Sequence, residues 1–303
     1  MIRQQTARLS VISNISLVVM KLFVGVAIGS LAILSEAIHS GIDLIAAVVA
    51  YISVRKANEP PDEIHTFGHG KFEDISGFFE AILIFGAAIL IMYEAVLKLM
   101  RGEAPLNGEL LNVGIVVMGI SGIINYYVSS CLMKVAKETE SIALESDAWH
   151  LRTDVYTSIG IMAGLILIKL TGILILDQLF AFGVAVIIMR AAYDLTERSF
   201  GDLTDRRLSD DEEEQIRTIL CDHATDFTNF HALRTRRSGA ERFIELHLVV
   251  AKNTTVEEAH NLADHLESDI LSKFPRASVT IHIEPCNGNC VSCEYICTKR
   301  RLS

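Results

Sequence analysis

Cysteine is scarce over most of this 303-residue chain, no basic face is evident, and the sequence has neither the H-E-x-x-H motif of a metalloprotease nor a P-loop for ATP. Cys131 and Cys221 stand alone, and the other four cysteines lie between Cys286 and Cys297, which excludes a disulfide-rich secreted domain. The net charge of −10, with no basic face, excludes nucleic acid as a partner. We expect no cleavable signal peptide, because the first apolar segment is long and lacks a small-residue cleavage site.

Apolar residues are abundant but unevenly distributed. They make up 50% of the chain, and the mean hydropathy is +0.37. Long apolar runs continue to about Leu195, after which the sequence becomes charged. This change predicts a membrane domain over residues 1–204 and a cytosolic domain over 205–285, followed by a cysteine-rich tail over 286–303.

Six segments have the length of membrane-spanning helices, which need about 20 mostly apolar residues. The predicted spans are Leu9–Gly29, Ile33–Val54, Ile75–Leu99, Leu110–Met133, Ser146–Leu170 and Ile173–Leu195. The alternative, a soluble bundle of buried helices, is disfavoured by the number of such segments and by their flanking charges. We therefore predict an α-helical membrane protein with a six-helix transmembrane bundle.

The charges in the loops predict the orientation in the membrane. Three connections are short and carry little positive charge, whereas the opposite side carries most of the basic residues, and a basic excess marks the cytoplasmic side. The basic residues on that side are Arg3, Arg8, Arg55, Lys56, Lys71, Lys134, Lys137, Arg190 and Arg198. Both termini are therefore predicted to be cytoplasmic.

Two His–Asp pairs lie inside predicted spans, where ionisable residues are costly and usually functional. His39 and Asp43 are four residues apart in the second span, and His150 and Asp154 are four apart in the fifth. Residues at this spacing share one face of a helix. If the two helices touch, two imidazoles and two carboxylates form a tetrahedral site that suits Zn²⁺. The alternative is that each pair only satisfies itself.

Other ionisable residues in the spans are weaker candidates. Glu94 and Asp147 lie near span ends, where snorkelling or hydration is common. Lys21, Glu80 and Asp177 either line a water path or pair within the bundle, and we favour pairing.

The cytoplasmic loop before the third span has a second group with ligand-like spacing. Asp62, His65 and His69 form the pattern D-x₂-H-x₃-H, and Gly68 and Gly70 let the loop fold back tightly. This pattern is compatible with a metal site and also with an ordinary hydrated loop.

The cytosolic domain reads as α-β-β-α-β, a small ferredoxin-like or metallochaperone-like unit. Helices are predicted over Asp210–Cys221 and Val256–Phe274, the second with Thr254 or Thr255 as N-cap, and strands over Phe230–Arg236, Phe243–Val250 and Ala277–Glu284. Histidines are frequent here, and together with an acidic residue they favour a metal cluster over isolated surface residues. The candidates are His231, His247, His260, His282 and Glu284.

The tail has four closely spaced cysteines. Cys286, Cys290, Cys293 and Cys297 form C-x₃-C-x₂-C-x₃-C, which in reducing cytosol indicates a thiolate metal site. The first three also match an iron–sulfur spacing, although nothing else supports a radical enzyme. The remaining alternative is a disordered tail with free thiols.

Several of these segments, in this order, resemble the cation diffusion facilitator family. They are SEAIHSGID in the second span, HTFGHGKFED after it, SDAWHLRTD in the fifth span, and LRTRRSGAERFIELHL and VTIHIEPC in the cytosolic domain. The resemblance extends from about Arg8 to Pro285. The two segments in the cytosolic domain are similar to those of the family's bacterial zinc and ferrous-iron exporters. The resemblance implies a homodimeric metal/proton antiporter in the lipid bilayer, in the inner or plasma membrane of the cell, and not an enzyme.

The resemblance also implies roles for residues. It assigns the transport site to His39, Asp43, His150 and Asp154, and it places Lys71 and Asp205 in a charge interlock near the dimer interface. It assigns Zn²⁺ to the loop and cytosolic sites too. With His at position 39, the chain resembles the zinc-selective members of the family. At position 284 it has Glu where the family usually has Asp. Fe²⁺ or Mn²⁺ export, and a membrane-anchored metal sensor, remain the alternatives.

Overall fold

The structure is a computed structural model that describes residues 2–28, 31–101, 108–171 and 175–287. The chain divides into two compact units, Met1–Phe200 and Gly201–Ser303. Each unit is described by itself below.

Six long helices make up the described part of the first unit. They are α1 (Ile2–Ile28), α2 (Leu31–Ala57), α3 (Lys71–Arg101), α4 (Gly108–Thr139), α5 (Ile142–Thr171) and α6 (Ile175–Leu203). The five prolines of the chain all lie outside them, so no helix loses a backbone hydrogen bond to proline. At 1.5 Å per residue, helices of 27–32 residues exceed the ~30 Å hydrocarbon core of a bilayer.

The helices coincide with the predicted spans but extend beyond them, most clearly at the end of α6. Hydropathy detects only the apolar part of a helix, and the charged turns that follow it continue the same hydrogen bonding. Among the described residues, Ile2–Ala27 and Lys71–Leu97 are long and apolar enough to cross a membrane.

In the first unit small side chains lie inside and large apolar side chains lie on the surface, which differs from a soluble helical bundle. Small residues such as Ala47, Ala50 and Ala81 are fully buried, and they let neighbouring helices approach closely, as α1 does to α2 and α4 to α5. Large apolar side chains instead point outward, including Phe23, which is 75% exposed, and Ile45. An apolar exterior around a core of small and polar residues is typical of helices in lipid.

The second unit is a small mixed sheet with two helices. Its elements are α7 (Asp210–Asp222), β1 (Asn229–Ser238), β2 (Glu241–Val250), α8 (Val256–Lys273) and β3 (Ala277–Pro285). The predicted α-β-β-α-β order is thus confirmed, with boundaries within about two residues. The strand order is β1-β2-β3. The pair β1–β2 is antiparallel and the pair β2–β3 is parallel, because α8 crosses over between the latter two strands.

Local sequence signals explain where these elements begin. Ser209 and Thr255 are the N-caps of α7 and α8, and each forms a capping box with a Glu three residues later. Gly239 has a φ of 57° in the turn between β1 and β2, a conformation that glycine adopts without strain. Ile244, Leu246 and Leu248 on β2 are buried in one hydrophobic core with residues of both helices. This core holds the sheet in place against the helices. The strands of the sheet carry the histidines discussed below.

Candidate metal centres

The first candidate centre joins α2 and α5 through buried side chains. His150 Nε2 lies 3.0 Å from Asp43 Oδ1, and these residues are only 8% and 3% exposed. Asp154 is one turn after His150, and its carboxylate completes a group of three ligand atoms within 4.8 Å of one another. His39 lies on α2 one turn before Asp43, but its side chain is outside the described part of the chain.

Asn125 on α4 is a member of this centre that sequence reasoning missed. Its Nδ2 lies 3.4 Å from Asp154 Oδ2, and its Oδ1 is buried with no hydrogen-bond partner among the described residues. An amide within an apolar span is itself a signal of function, because an unsatisfied polar group is costly in lipid. The buried oxygen also leaves one more acceptor facing the interior of the bundle.

Two further carboxylates are buried in the first unit, one on α5 and one on α3. Asp147 precedes His150 by one turn and Glu80 lies on α3, and both are at most 1% exposed. Neither makes a hydrogen bond of good geometry within the described residues. Lys21 pairs within the bundle, as predicted, since its Nζ donates to Ser40 Oγ at 2.8 Å. The side chains of Glu94 and Asp177 lie outside the described residues.

The second candidate centre is the loop between α2 and α3. Asp62 Oδ2 lies 3.1 Å from His69 Nε2, and Asp62 Oδ1 lies 3.3 Å from His65 Nδ1. Gly68 has a φ of 83°, and this left-handed turn brings the two imidazoles to a centroid distance of 4.5 Å. The backbone N–H group of His65 donates to Asp62 and lowers the pKa of its carboxyl group to about 2.

His69 gives this loop the character of a metal site. It is 2% exposed, and neither ring nitrogen makes a hydrogen bond of good geometry to any described residue. A buried imidazole without such bonds is costly unless another partner takes its lone pair. The donor set of two imidazoles and one ionised carboxylate fits a divalent metal ion.

The third candidate centre spans the sheet of the second unit. His231 on β1 pairs in register with His247 on β2, which in turn pairs with His282 on β3. Glu284 accepts from both of the first two, with distances of 3.0 Å to His231 Nε2 and 2.9 Å to His247 Nδ1. The hydrogen bond from His231 lowers the pKa of Glu284, and that from His247 adds to the effect.

Of the other two predicted members of this third centre, one lies at its margin and the other lies beside a different carboxylate. His282 Nε2 is 3.9 Å from Glu284 Oε1, and His260 on α8 faces Asp264 at 3.5 Å. The structure therefore brings His231, His247 and Glu284 together as one group, and places His260 beside a different carboxylate.

Comparison with known proteins identifies the family of this chain. Residues 7–204 match the family model described as the cation efflux transmembrane domain, and residues 208–286 match the cytoplasmic domain of cation efflux proteins, ZT_dimer. The chain belongs to the cation diffusion facilitator family. The match covers nearly the whole chain, including all three centres.

Two relatives that cover most of this chain agree with this assignment, and one solved structure resembles its second unit. A transporter of uncharacterised substrate from Synechocystis sp. is 34% identical over 85% of this chain and 82% of its own. The cation-efflux pump FieF of Cronobacter sakazakii is 34% identical over 89% of each chain. The metal-bound C-terminal domain of the CzcD transporter from Thermotoga maritima is 32% identical over 25% of this chain and 87% of its own, with a TM-score of 0.24.

Membership of the cation diffusion facilitators establishes the general properties of the chain. It is an integral membrane protein that exports metal cations, and family members are transporters rather than enzymes. The ZT_dimer match indicates dimerisation. The divalent-metal prediction is supported by relatives of this kind and by the grouped His and carboxylate ligands.

Two predicted groups of residues stay predictions, the first from the resemblance and the second from the spacing of cysteines. Asp205 has a φ of 57° and lies 3.6 Å from Arg236 Nη1 within the second unit, and Lys71 is the first residue of α3. The proposed interlock between Lys71 and Asp205 therefore awaits a direct test. In the tail, Cys286 follows β3 as a free thiol, and Cys290, Cys293 and Cys297 lie outside the described residues.

Proposed function

We propose that this cation diffusion facilitator is a homodimeric Zn²⁺/H⁺ antiporter that exports zinc from the cytosol by alternating access. The observation that carries the proposal is the convergence of Asp43, His150 and Asp154 between two membrane helices. His39 is the fourth ligand in this proposal, because its place on α2 puts it on the same helical face as Asp43.

Charge supports a divalent substrate at this centre. Burying a carboxylate in a membrane domain is expensive unless an opposite charge compensates it. A divalent cation cancels the charge of Asp43 and Asp154 together. Imidazole nitrogen with carboxylate oxygen is a common donor set for Zn²⁺, and it is less typical of Mg²⁺ or Ca²⁺, which prefer oxygen alone.

The same contacts explain why protons would be exchanged for the metal. Metal binding requires a free lone pair on each ligand, so it competes with protons. The contact of His150 Nε2 with Asp43 Oδ1, at 3.0 Å, holds a proton between two of the ligands. Zinc entering from the cytosol must break this contact, and proton return on the opposite side restores it and releases the metal.

The remaining centres fit a regulatory role. In this proposal the group His231, His247 and Glu284 binds cytosolic zinc and tightens the dimer, and the loop centre around Asp62 acts close to the membrane surface.

The six helices α1–α6 form a six-span bundle with both termini in the cytoplasm, since the basic residues flanking the spans lie on the side of the termini. The membrane is the inner or plasma membrane of the cell.

Fe²⁺ or Mn²⁺ export is the second candidate within transport, because the relative FieF is named only as a cation-efflux pump. The affinity order of divalent metals favours Zn²⁺ over both, but availability in the cell also determines the metal carried. A membrane-anchored sensor without transport is disfavoured by membership of an efflux family.

The test is flux in proteoliposomes containing the purified full-length dimer. Zn²⁺ uptake and the accompanying change in internal pH are measured for the wild type and for Asp154→Asn, which removes one charged ligand. Loss of outer-shell partners already costs roughly 10–100-fold in metal affinity or activity, so loss of a ligand should lower Zn²⁺ flux by about 100-fold or more. Runs with Fe²⁺, Mn²⁺, Co²⁺ and Cd²⁺ decide the metal.

Asp194→Asn is the matched control, because Asp194 is an exposed acidic residue on α6 and belongs to none of the centres. This variant should transport like the wild type. Unchanged zinc-dependent proton exchange in Asp154→Asn would refute the site, and zinc flux without any pH change would refute antiport.

A further inference from the structure

A fourth cluster lies in the second unit, away from the histidines of the sheet. His223 is the C-cap residue of α7, and His265 and Asp269 are one turn apart on α8. The spacing in the sequence does not reveal this cluster, because His223 and His265 are 42 positions apart and meet only when α7 packs against α8.

The side chains of the cluster converge on one carboxylate oxygen. Asp269 Oδ2 lies 2.8 Å from His223 Nε2 and 3.9 Å from His265 Nε2. The two imidazole rings meet edge to face, with a centroid distance of 4.9 Å. One ligand atom from each residue lies within 4.8 Å of the other two.

These distances are close to those of a tetrahedral metal site. Zinc binds nitrogen and carboxylate oxygen at about 2.0–2.1 Å, so two ligands of a tetrahedron are about 3.4 Å apart. The distances of Asp269 Oδ2 from the two imidazole nitrogens, 2.8 Å and 3.9 Å, lie on either side of this value. Small side-chain rotations that move the ligand atoms by a fraction of an ångström make the two distances equal. Two imidazoles and one carboxylate provide three ligands, which leaves a fourth position for water.

A second carboxylate supports the orientation of His223. Asp226 Oδ2 lies 3.6 Å from His223 Nδ1, the ring nitrogen that faces away from the cluster. Thr225 Oγ1 donates to the other oxygen of Asp226 at 3.1 Å. Metal-binding histidines commonly direct their second ring nitrogen toward a carboxylate, which fixes the tautomer and strengthens the metal bond.

We propose that His223, His265 and Asp269 form a binding site for a divalent metal ion of the Zn²⁺ class. The site shares no residue with the group of His231, His247 and Glu284. The side chain of His265 is largely exposed and that of Asp269 partly exposed, so a metal ion can reach them from the cytosol without any opening of the domain. Binding ties the end of α7 to the middle of α8 and thereby holds together the two helices that cover the sheet.

The experiment counts metal in the full-length protein in detergent. Each variant is dialysed to equilibrium against buffered free Zn²⁺, and bound zinc per protomer is measured by elemental analysis. We expect His265→Gln and Asp269→Asn each to bind one zinc ion fewer per protomer than the wild type. The matched control is Glu267→Gln on the same helix, which removes a charge but no member of the cluster and should keep the wild-type number.

Two additional measurements separate this site from the others. In a His231→Ala/His247→Ala background, His265→Gln should still remove one zinc ion, because the two sites are independent. Co²⁺ bound to the same background should give the visible absorption of four-coordinate cobalt, and His265→Gln should lower it by the contribution of one site, because the transport centre keeps its own ligands. Helical content by circular dichroism confirms that the variants are folded. An unchanged zinc count and spectrum in folded His265→Gln would overturn the proposal and leave an ordinary ion pair.

Discussion

Replacing Asn125 by alanine tests whether the amide on α4 positions a ligand of the transport centre. The amide donates to Asp154 Oδ2 at 3.4 Å, which is longer than the usual 2.7–3.2 Å range. A hydrogen bond to a charged group contributes about 1.5–3 kcal/mol at good geometry, so we take about 1 kcal/mol for this longer one. Since about 1.4 kcal/mol is a factor of ten, the apparent KM for Zn²⁺ should rise about fivefold.

The assay is the same zinc flux in proteoliposomes, measured as a function of Zn²⁺ concentration. Ser130→Ala is the matched control, because Ser130 is a half-buried residue of the same helix whose hydroxyl donates to the Tyr126 carbonyl. It should leave KM unchanged. In an Asp154→Asn background, Asn125→Ala should add little, since the carboxylate that it positions has gone.

Two outcomes would contradict this reasoning. An unchanged KM would mean that the contact with Asp154 has no energetic weight. A rise well above about 100-fold, more than loss of an outer-shell partner costs, would mean that Asn125 is itself a ligand, acting through its buried Oδ1, rather than a positioning residue.

Two predictions concern stability. Burial opposes ionisation of Glu212, but the charge of Arg237 and a hydrogen bond from Arg242 hold its pKa below the usual value. A carboxyl group whose pKa is lowered by folding stabilises the protein above its pKa in the unfolded chain, which is about 4.3, and this stabilisation is lost as the pH falls further. Glu212→Gln should therefore lower the melting temperature, followed by circular dichroism, at pH 7 and have less effect near pH 3. In the membrane unit, a Cβ at Gly77 would lie 3.1–3.3 Å from Ser199, Ser146 and Ile142, whereas one at Gly86 meets nothing within 4 Å. Gly77→Val should therefore lower the melting temperature and the yield of folded protein in detergent by much more than Gly86→Val, and equal effects would contradict the close packing.

Much of the fold could be predicted because its signals are local. Thr255 with Glu258 marks the start of α8, and alternating apolar residues such as Leu246 and Leu248 mark β2. The spacing of His150 and Asp154 likewise places both on one face of a helix. Each of these inferences needs only a few consecutive residues.

The contacts that could not be predicted join distant segments. Asn125 is 29 residues from Asp154, and nothing in the sequence of α4 indicates which face meets α5. His223 meets Asp269 only through the packing of two helices. Spacing identifies ligand types, whereas tertiary packing selects which of them meet.

The parallel pairing of β2 with β3 has a consequence for the order of assembly during synthesis. The hairpin β1–β2 brings His231 opposite His247 as soon as both strands have left the ribosome, since its contacts are local. Glu284 follows His247 by 37 residues and reaches it only after α8 has formed and crossed over. The carboxylate that binds both histidines is thus the last part of the centre to be made, and a nascent chain cannot hold metal there in its final geometry until β3 has docked.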